Sequence, residues 1–431
     1  MKKIAILVFF TVGFFVHVWA CTGLIAGKQA TVDGSVLVTY SADSHTLYGA
    51  LTSSPAADWP KGSMRSIVEW DTNKPLGEIE QVEHTYAVMG NMNEHQLTVV
   101  ESTWGGRPEL VDTTGIIDYG SLMQLALERA KTAREAIKVM TGLVKKYGYY
   151  SSGESFTIAD PNEAWILDLI GKGPGRRGAV WVAVRIPDDC IAGHANYPRI
   201  HKIPMDDKEN CLYSPDVISF AREMGYFDGL NKDFSFARAY SPADFGALRA
   251  CDARVWSFFR KYDSTMDNYL PYVNGESAEP FPLYVKPSRK LSVQDMKEAM
   301  RDHFEDTPFD MTQDVGAGPF KVPYRFRPMS FEVDGKSYCM ERAIATQQTG
   351  FTLVGQMRNW LPDPVGGVLW FGVDDANTCV YIPMYCGITQ VPECFSPENG
   401  SMYDFSWTSA FWIHNWVANM AYARYEPMIG D

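Results

Sequence analysis

Cys21-Thr22-Gly23-Leu24-Ile25-Ala26-Gly27, followed by Asp33-Gly34 and then Ser35-Val36-Leu37-Val38-Thr39-Tyr40, is the stretch on which the reading of this chain turns. Two apolar, β-rich runs flank a strong turn dipeptide, a pattern that predicts strand, hairpin turn and strand. What precedes it has another character. Lys2 and Lys3 form a positive start, and Ile4 to Val16 is apolar apart from Thr11 and Gly13. Val18-Trp19-Ala20 then places acceptable residues at positions -3 and -1 of a signal-peptidase site. The apolar run is short for a membrane span, which needs about 20 residues. Residues 1–20 are therefore expected to be a signal peptide, and the product to be exported, periplasmic or extracellular. Its first residue would be Cys21.

A secreted chain that starts with cysteine has two explanations with opposite chemical demands. In a lipoprotein the sulfur is acylated and the amine blocked, but Trp19 at -2 fits that processing poorly. In the other, the free amine is wanted beside the thiol. An N-terminal cysteine is a self-sufficient pair: the thiol is a nucleophile, and the α-amine, with a pKa of about 7.7–8.0, is a base near working pH. Such a pair still needs an anchor for the amine, a cation near the thiolate and donors for an oxyanion.

Outward from this stretch the chain reads as α+β. A second hairpin is expected over Ser155–Ile170, turning at Asp160-Pro161-Asn162-Glu163, and a buried strand over Ala179 to Val184. Leu122, Leu125, Ala126 and Ala130 fall at helical spacing, and Thr132 with Glu135 opens a second helix to about Lys146. Ser241-Pro242 is expected to cap a helix to about Lys261, and Ser292 with Asp295 one to about Phe304. Residues 407–425 look helical, but His414, Asn415 and Asn419 argue against a membrane helix. The passages 262–290 and 313–328 read as long surface loops.

The 431 residues carry 46% hydrophobic and 21% charged side chains and a formal charge of -13. That is a globular composition with no basic footprint for a nucleic-acid partner. No HExxH, paired CxxC, EF-hand loop, GxSxG elbow or glycine-rich phosphate loop occurs, so nothing in the sequence asks for a metal or a cofactor. Seven cysteines besides Cys21 make an odd set, in which Cys379/Cys386 or Cys386/Cys394 are candidate disulfides.

Cys21-Thr22-Gly23-Leu24-Ile25-Ala26-Gly27-Lys28 with Asp33-Gly34-Ser35 resembles the start of the PepD-type dipeptidases. These are N-terminal nucleophile hydrolases related to penicillin V acylase and bile-salt hydrolase. The resemblance runs through Met92-Asn93-Glu94-His95, Gly153-Glu154-Ser155-Phe156, Ile158-Ala159-Asp160-Pro161 and His194-Ala195-Asn196. It continues in Ala253-Arg254-Val255-Trp256, Gln347-Gln348-Thr349-Gly350 and Trp360-Leu361-Pro362-Asp363-Pro364, covering essentially all of 21–431 as one domain.

The resemblance implies a four-layer αββα sandwich with the nucleophile at the start of a central strand. It implies Asp43 as the carboxylate that binds the amine of Cys21, Asn196 as an oxyanion donor, and Arg254 as the cation near the thiol. Thr103 falls where relatives place a second oxyanion contributor. His194 reads as a structural histidine. Two departures stand out. Tyr40-Ser41 replaces the Arg-Asn of many relatives, removing a cation beside the cysteine, and the chain stops at Asp431 where relatives often continue, so its C-terminal end is either naturally short or truncated.

The expectation is an exported cysteine-type dipeptidase whose substrate is a dipeptide or small peptide. It needs no membrane span once the signal peptide is gone, and a homo-oligomer is compatible with it. The rivals are an amidase of the same chemistry acting on acylated amines, and a non-catalytic surface lipoprotein or binding module using the 12 Trp and 22 Tyr to stack on ligands.

Overall fold

A computed structural model describes residues 21–325 and 330–430. The expected signal peptide, residues 1–20, lies outside the described residues. The strands of the two large sheets are β1 (Thr22–Ala26), β2 (Val36–Asp43), β3 (Ser53–Ser54), β4 (Val88–Met89), β5 (Met92–Asn93), β6 (Thr98–Trp104), β7 (Gly153–Ala159) and β8 (Ala164–Gly171). They continue as β9 (Ala179–Ile186), β10 (Ile191–His194), β11 (Cys211–Tyr213), β12 (Tyr284–Val285), β13 (Thr349–Met357), β14 (Val368–Val373) and β15 (Ile382–Tyr385). One sheet has the order β12-β10-β1-β2-β13-β14-β15 and the other β11-β9-β8-β7-β6-β5-β4-β3. Every pairing within them is antiparallel.

The strands bury both faces because their alternate residues enter different cores. Val36, Val38, Tyr40 and Ala42 of β2 share one core with Val100 and Trp104 of β6 and Ile166 and Ile170 of β8, which joins the two sheets. Leu37 of β2 and Leu24 and Ala26 of β1 point the other way, against Val255, Phe258 and Met296. Val99, Leu167 and Leu169 of the second sheet pack on Leu122, Leu125, Ile137 and Val144. The period-2 alternation of strands is what lets one chain feed three apolar clusters.

The expected hairpins form. Gly34 takes φ 85° at the turn before β2, a left-handed conformation that glycine adopts without strain, and the Asp33 carboxylate accepts from the Ser35 amide at 3.0 Å. Helix α1 (Tyr119–Arg129) is capped by Asp118, and α2 (Ala133–Tyr147) by Thr132, whose hydroxyl accepts from the Glu135 amide. Helix α5 (Ala410–Ala423) lies within the stretch expected to be helical, and no helix among the described residues is long and apolar enough to cross a membrane.

Other expectations need correction. The helix assigned to Ser241-Pro242 starts later: Ser241 closes a short helix over Phe236–Tyr240, and the Asp244 carboxylate accepts from the Ala247 amide at 2.7 Å. A π-helical turn, Ala247–Asp252, then leads into α3 (Ala253–Arg260). Helix α4 (Val293–Ala299) has the expected Ser292–Asp295 capping box but ends before Phe304. The passage 262–290 contains helical turns at Ser264–Tyr269 and Leu270–Val273, held by burial of Met266, Tyr272, Val273 and Phe281. All eight cysteines are free: the Cys386 thiol donates to the Asp363 carbonyl at 2.9 Å instead of pairing.

Candidate active site

Cys21 stands immediately before β1 and is 3% exposed. Its side chain forms part of the wall of a cavity of about 470 Å³, together with Tyr40, Asp43, Asp71, Glu101, Tyr119 and Phe351, among others. β1 lies between β2 and β10, so Gly23 faces Tyr40 on one side and His194 on the other. A Cβ on Gly23 would lie 3.0 Å from the His194 ring, closer than an ordinary van der Waals contact. The ring nitrogens meet the hydroxyls of Ser102 at 2.6 Å and Thr157 at 2.8 Å. Burial, with the charges of Arg254 and Arg199, pushes His194 down to about 3, so it stays neutral and ties the two sheets together behind Cys21.

Asp43, at the end of β2, is fully buried and held from three sides. Arg342 donates to its Oδ2, Ser41 donates to the same oxygen at 3.1 Å, and Thr349 donates to Oδ1 at 2.7 Å. Thr349 stands opposite Asp43 in the β2–β13 register, which is how the Gln347-Gln348-Thr349-Gly350 stretch reaches the site.

Arg254 comes from α3 and is 1% exposed. Its guanidinium donates to the Cys21 carbonyl at 2.9 Å, the Thr22 hydroxyl at 2.7 Å, the Ala195 carbonyl at 3.1 Å and the Asn196 Oδ1 at 2.8 Å. Burial and the charge of Arg342 lower it to about 10, which leaves it charged at neutral pH. It reaches the backbone of Cys21 and the Asn196 amide, not the sulfur. Asn196 sits at φ 57°, an uncommon conformation that asparagine tolerates better than most residues, and its Nδ2 donates to the Thr103 carbonyl at 2.6 Å. The Thr103 hydroxyl is turned elsewhere, donating to Glu154 at 2.9 Å.

Of the five residues singled out in the sequence, Cys21 and Asp43 line the cavity, and Arg254 links Cys21 to Asn196. Thr103 joins the group through its carbonyl. Five further residues, Tyr40, Glu101, Glu154, Arg342 and Thr349, complete the surroundings. The Tyr40 hydroxyl lies 3.6 Å from Cys21 Sγ and bonds Glu101 across the gap between the sheets. Glu154 and Arg342 back Glu101 and Asp43. Tyr40, Glu154 and Thr349 lay inside stretches already noted in the sequence, but their roles were not read. Glu101, an acid between Val100 and Ser102 in a buried strand, was a signal that went unused. Burial pushes the Cys21 thiol well above its usual range, and the charges of Glu101 and Asp43 push the same way, against hydrogen bonds from the Asp43 backbone and Tyr40. At rest the sulfur is therefore a thiol that needs a base.

The Cys21 thiol thus stands in the wall of a cavity lined by carboxylates and tyrosines, and comparison with known proteins gives the class to which such a site belongs. The model of peptidase family C69 matches residues 20–431. The chain is 24% identical to a probable dipeptidase of Latilactobacillus sakei over 94% of its own length and 82% of that protein's. It is 27% identical to a probable dipeptidase of Salmonella dublin, covering 86% and 81% of the two chains. To dipeptidase A of Lactobacillus helveticus it is 24% identical over 94% and 82%. The chain belongs to peptidase family C69, and it is an enzyme of that cysteine-peptidase family.

Proposed function

We propose that this enzyme is an exported dipeptidase of the N-terminal nucleophile type, with the αββα sandwich of that class and Cys21 as both nucleophile and, through its α-amine, base. The observation that carries the reading is the Cys21 thiol in the cavity wall beside the anchored Asp43 carboxylate. The family membership and the names of the relatives support peptide-bond hydrolysis in dipeptides.

In this reading, removal of residues 1–20 frees the amine of Cys21, and Asp43 orients it. Because Arg342, Ser41 and Thr349 fix Asp43, the amine is held in one direction near the sulfur. The amine takes the thiol proton as sulfur attacks the scissile carbonyl carbon. The Asn196 amide, oriented by Arg254, donates to the developing oxyanion, and Thr103 serves by holding that amide through its carbonyl. The proton passes to the leaving amine as the C–N bond breaks, giving a thioester. Water, deprotonated by the same amine, then attacks the thioester, and the sulfur leaves to recover its proton.

The test is dipeptide hydrolysis by the mature enzyme and by Cys21→Ala. The variant is expected to keep its circular-dichroism spectrum and lose turnover, and a chelator to leave the wild-type rate unchanged. Turnover that survives Cys21→Ala would place the chemistry elsewhere.

A further inference from the structure

Among the described residues the cavity wall contains three carboxylates, those of Asp43, Asp71 and Glu101, and no lysine or arginine. Asp43 has Arg342 as its partner. Asp71 accepts from the Tyr119 hydroxyl at 2.8 Å, and burial raises it to about 6. Glu101 is different. It is 2% exposed, and neither it nor Glu154 beside it forms a salt bridge with any described residue. Oε2 of Glu101 and Oε1 of Glu154 are both buried, and the two carboxyls bond each other. Two carboxyls in such contact share one proton, because both cannot be charged at that separation. Burial raises both, and the charge of Glu101 raises Glu154 further, so the pair holds one proton between them and carries one negative charge next to Tyr40. A buried charge normally has a partner. Here the bonds come from neutral groups such as the Tyr40 hydroxyl, and no lysine, arginine or histidine side chain among the described residues pairs with it.

The position of that charge says what the partner is. Tyr40 touches both Cys21 Sγ and Glu101 Oε1, so the carboxylate lies one hydroxyl away from the nucleophile. In a dipeptide the α-ammonium sits two bonds from the carbonyl carbon that the thiol must reach. A substrate docked for attack therefore brings its own cation to this corner of the cavity. We propose that Glu101, seated on Glu154 and Tyr40, is the specificity residue that binds the α-ammonium of the substrate's first residue and restricts the site to peptides with a free amino terminus. The inference rests on the dipeptidase reading and adds which end of the substrate is recognised, and by what. The same contact neutralises a charge that holds the thiol up, so the substrate's ammonium supplies beside the sulfur the cation that Tyr40 does not.

The test compares alanyl-alanine with propionyl-alanine, which lacks only the amine, on the mature enzyme, on Glu101→Gln and on Asp71→Asn. Wild type is expected to favour alanyl-alanine in kcat/KM by about a hundredfold or more, as sites built around a buried polar partner reject analogues that lack it. Glu101→Gln is expected to shrink that ratio at least tenfold through loss on alanyl-alanine alone, and Asp71→Asn to leave it standing. A ratio near one in wild type, an unchanged ratio in Glu101→Gln, or a collapse confined to Asp71→Asn would overturn the proposal. A second readout needs neither turnover nor a variant. Alaninamide should protect Cys21 of the wild type from iodoacetamide, and propionamide should not. Equal protection by both overturns the assignment. A wild type that hydrolyses no dipeptide yet shows selective protection sinks the dipeptidase reading and upholds the ammonium site.

Discussion

The residues around Cys21 are held by bonds that constrain what each substitution can do. In the proposed mechanism Asn196→Ala removes an oxyanion donor, whose effect is exerted in the transition state, so kcat is expected to fall about a hundred- to a thousandfold with little change in KM. A residue that only shaped the turn before Pro198 would lower the melting temperature and leave kcat per folded molecule intact, so kinetics and unfolding on one preparation separate the two. Asp43→Asn should act on stability as well as on turnover. It leaves the Arg342 guanidinium, 4% exposed, without its buried counter-charge, and breaking such a pair costs about 3–5 kcal/mol. Urea unfolding reads that loss directly, and a variant as stable as wild type would mean that Asp43 is not what holds Arg342.

At the scale of elements, β1 is the strand most tightly specified by its neighbours. Gly23→Ala would drive a methyl group into the His194 ring, and overpacking of this kind costs about 1–3 kcal/mol, measurable as a lower urea midpoint. His194 itself carries a pH signature. Its pKa is depressed from about 6.5 in the unfolded chain to about 3 in the fold, so its contribution to stability is full above pH 6.5 and is lost as the pH falls toward 3. Replacing it with glutamine removes that loss. The stability gap between wild type and His194→Gln should therefore narrow by about 2 kcal/mol between pH 8 and pH 5. Asp168 and Asp375, raised to about 6, act in the opposite sense in both proteins, losing their contribution as the pH rises, and so cancel in the comparison. A gap independent of pH would mean that His194 is not held neutral.

Element boundaries were legible where a local signal stood alone. Asp33-Gly34 and the Thr132 and Ser292 caps were read correctly because each bond lies within three residues of its partner. The start before α3 was misread because Ser241 and Asp244 are rival caps three residues apart, and the short helix ending at Tyr240 claims Ser241 first. Nothing local announced that helix.

Over the whole molecule, the site is assembled from parts distant in the chain, and that decides which of them could be read. Cys21, Asp43, Asn196 and Arg254 were named from stretches that resemble relatives. Arg342 and Glu101 were not, since their meaning depends on the β2–β13 pairing and on the approach of one sheet to the other. The gap left where Arg-Asn gives way to Tyr40-Ser41 was visible, but what fills it was not. In the fold, Tyr40 fills it, coupling the thiol to a carboxylate drawn from the facing sheet.

The central claim is that Cys21 works through an amine that exists only once residues 1–20 are removed. It is tested most directly by assaying dipeptide hydrolysis by two preparations, one beginning at Cys21 and one retaining a single extra alanine before it, with both N-termini verified by mass spectrometry. The expected result is that both fold alike and only the first turns over, because in the second the base is an amide. Equal activity of the two would contradict the claim.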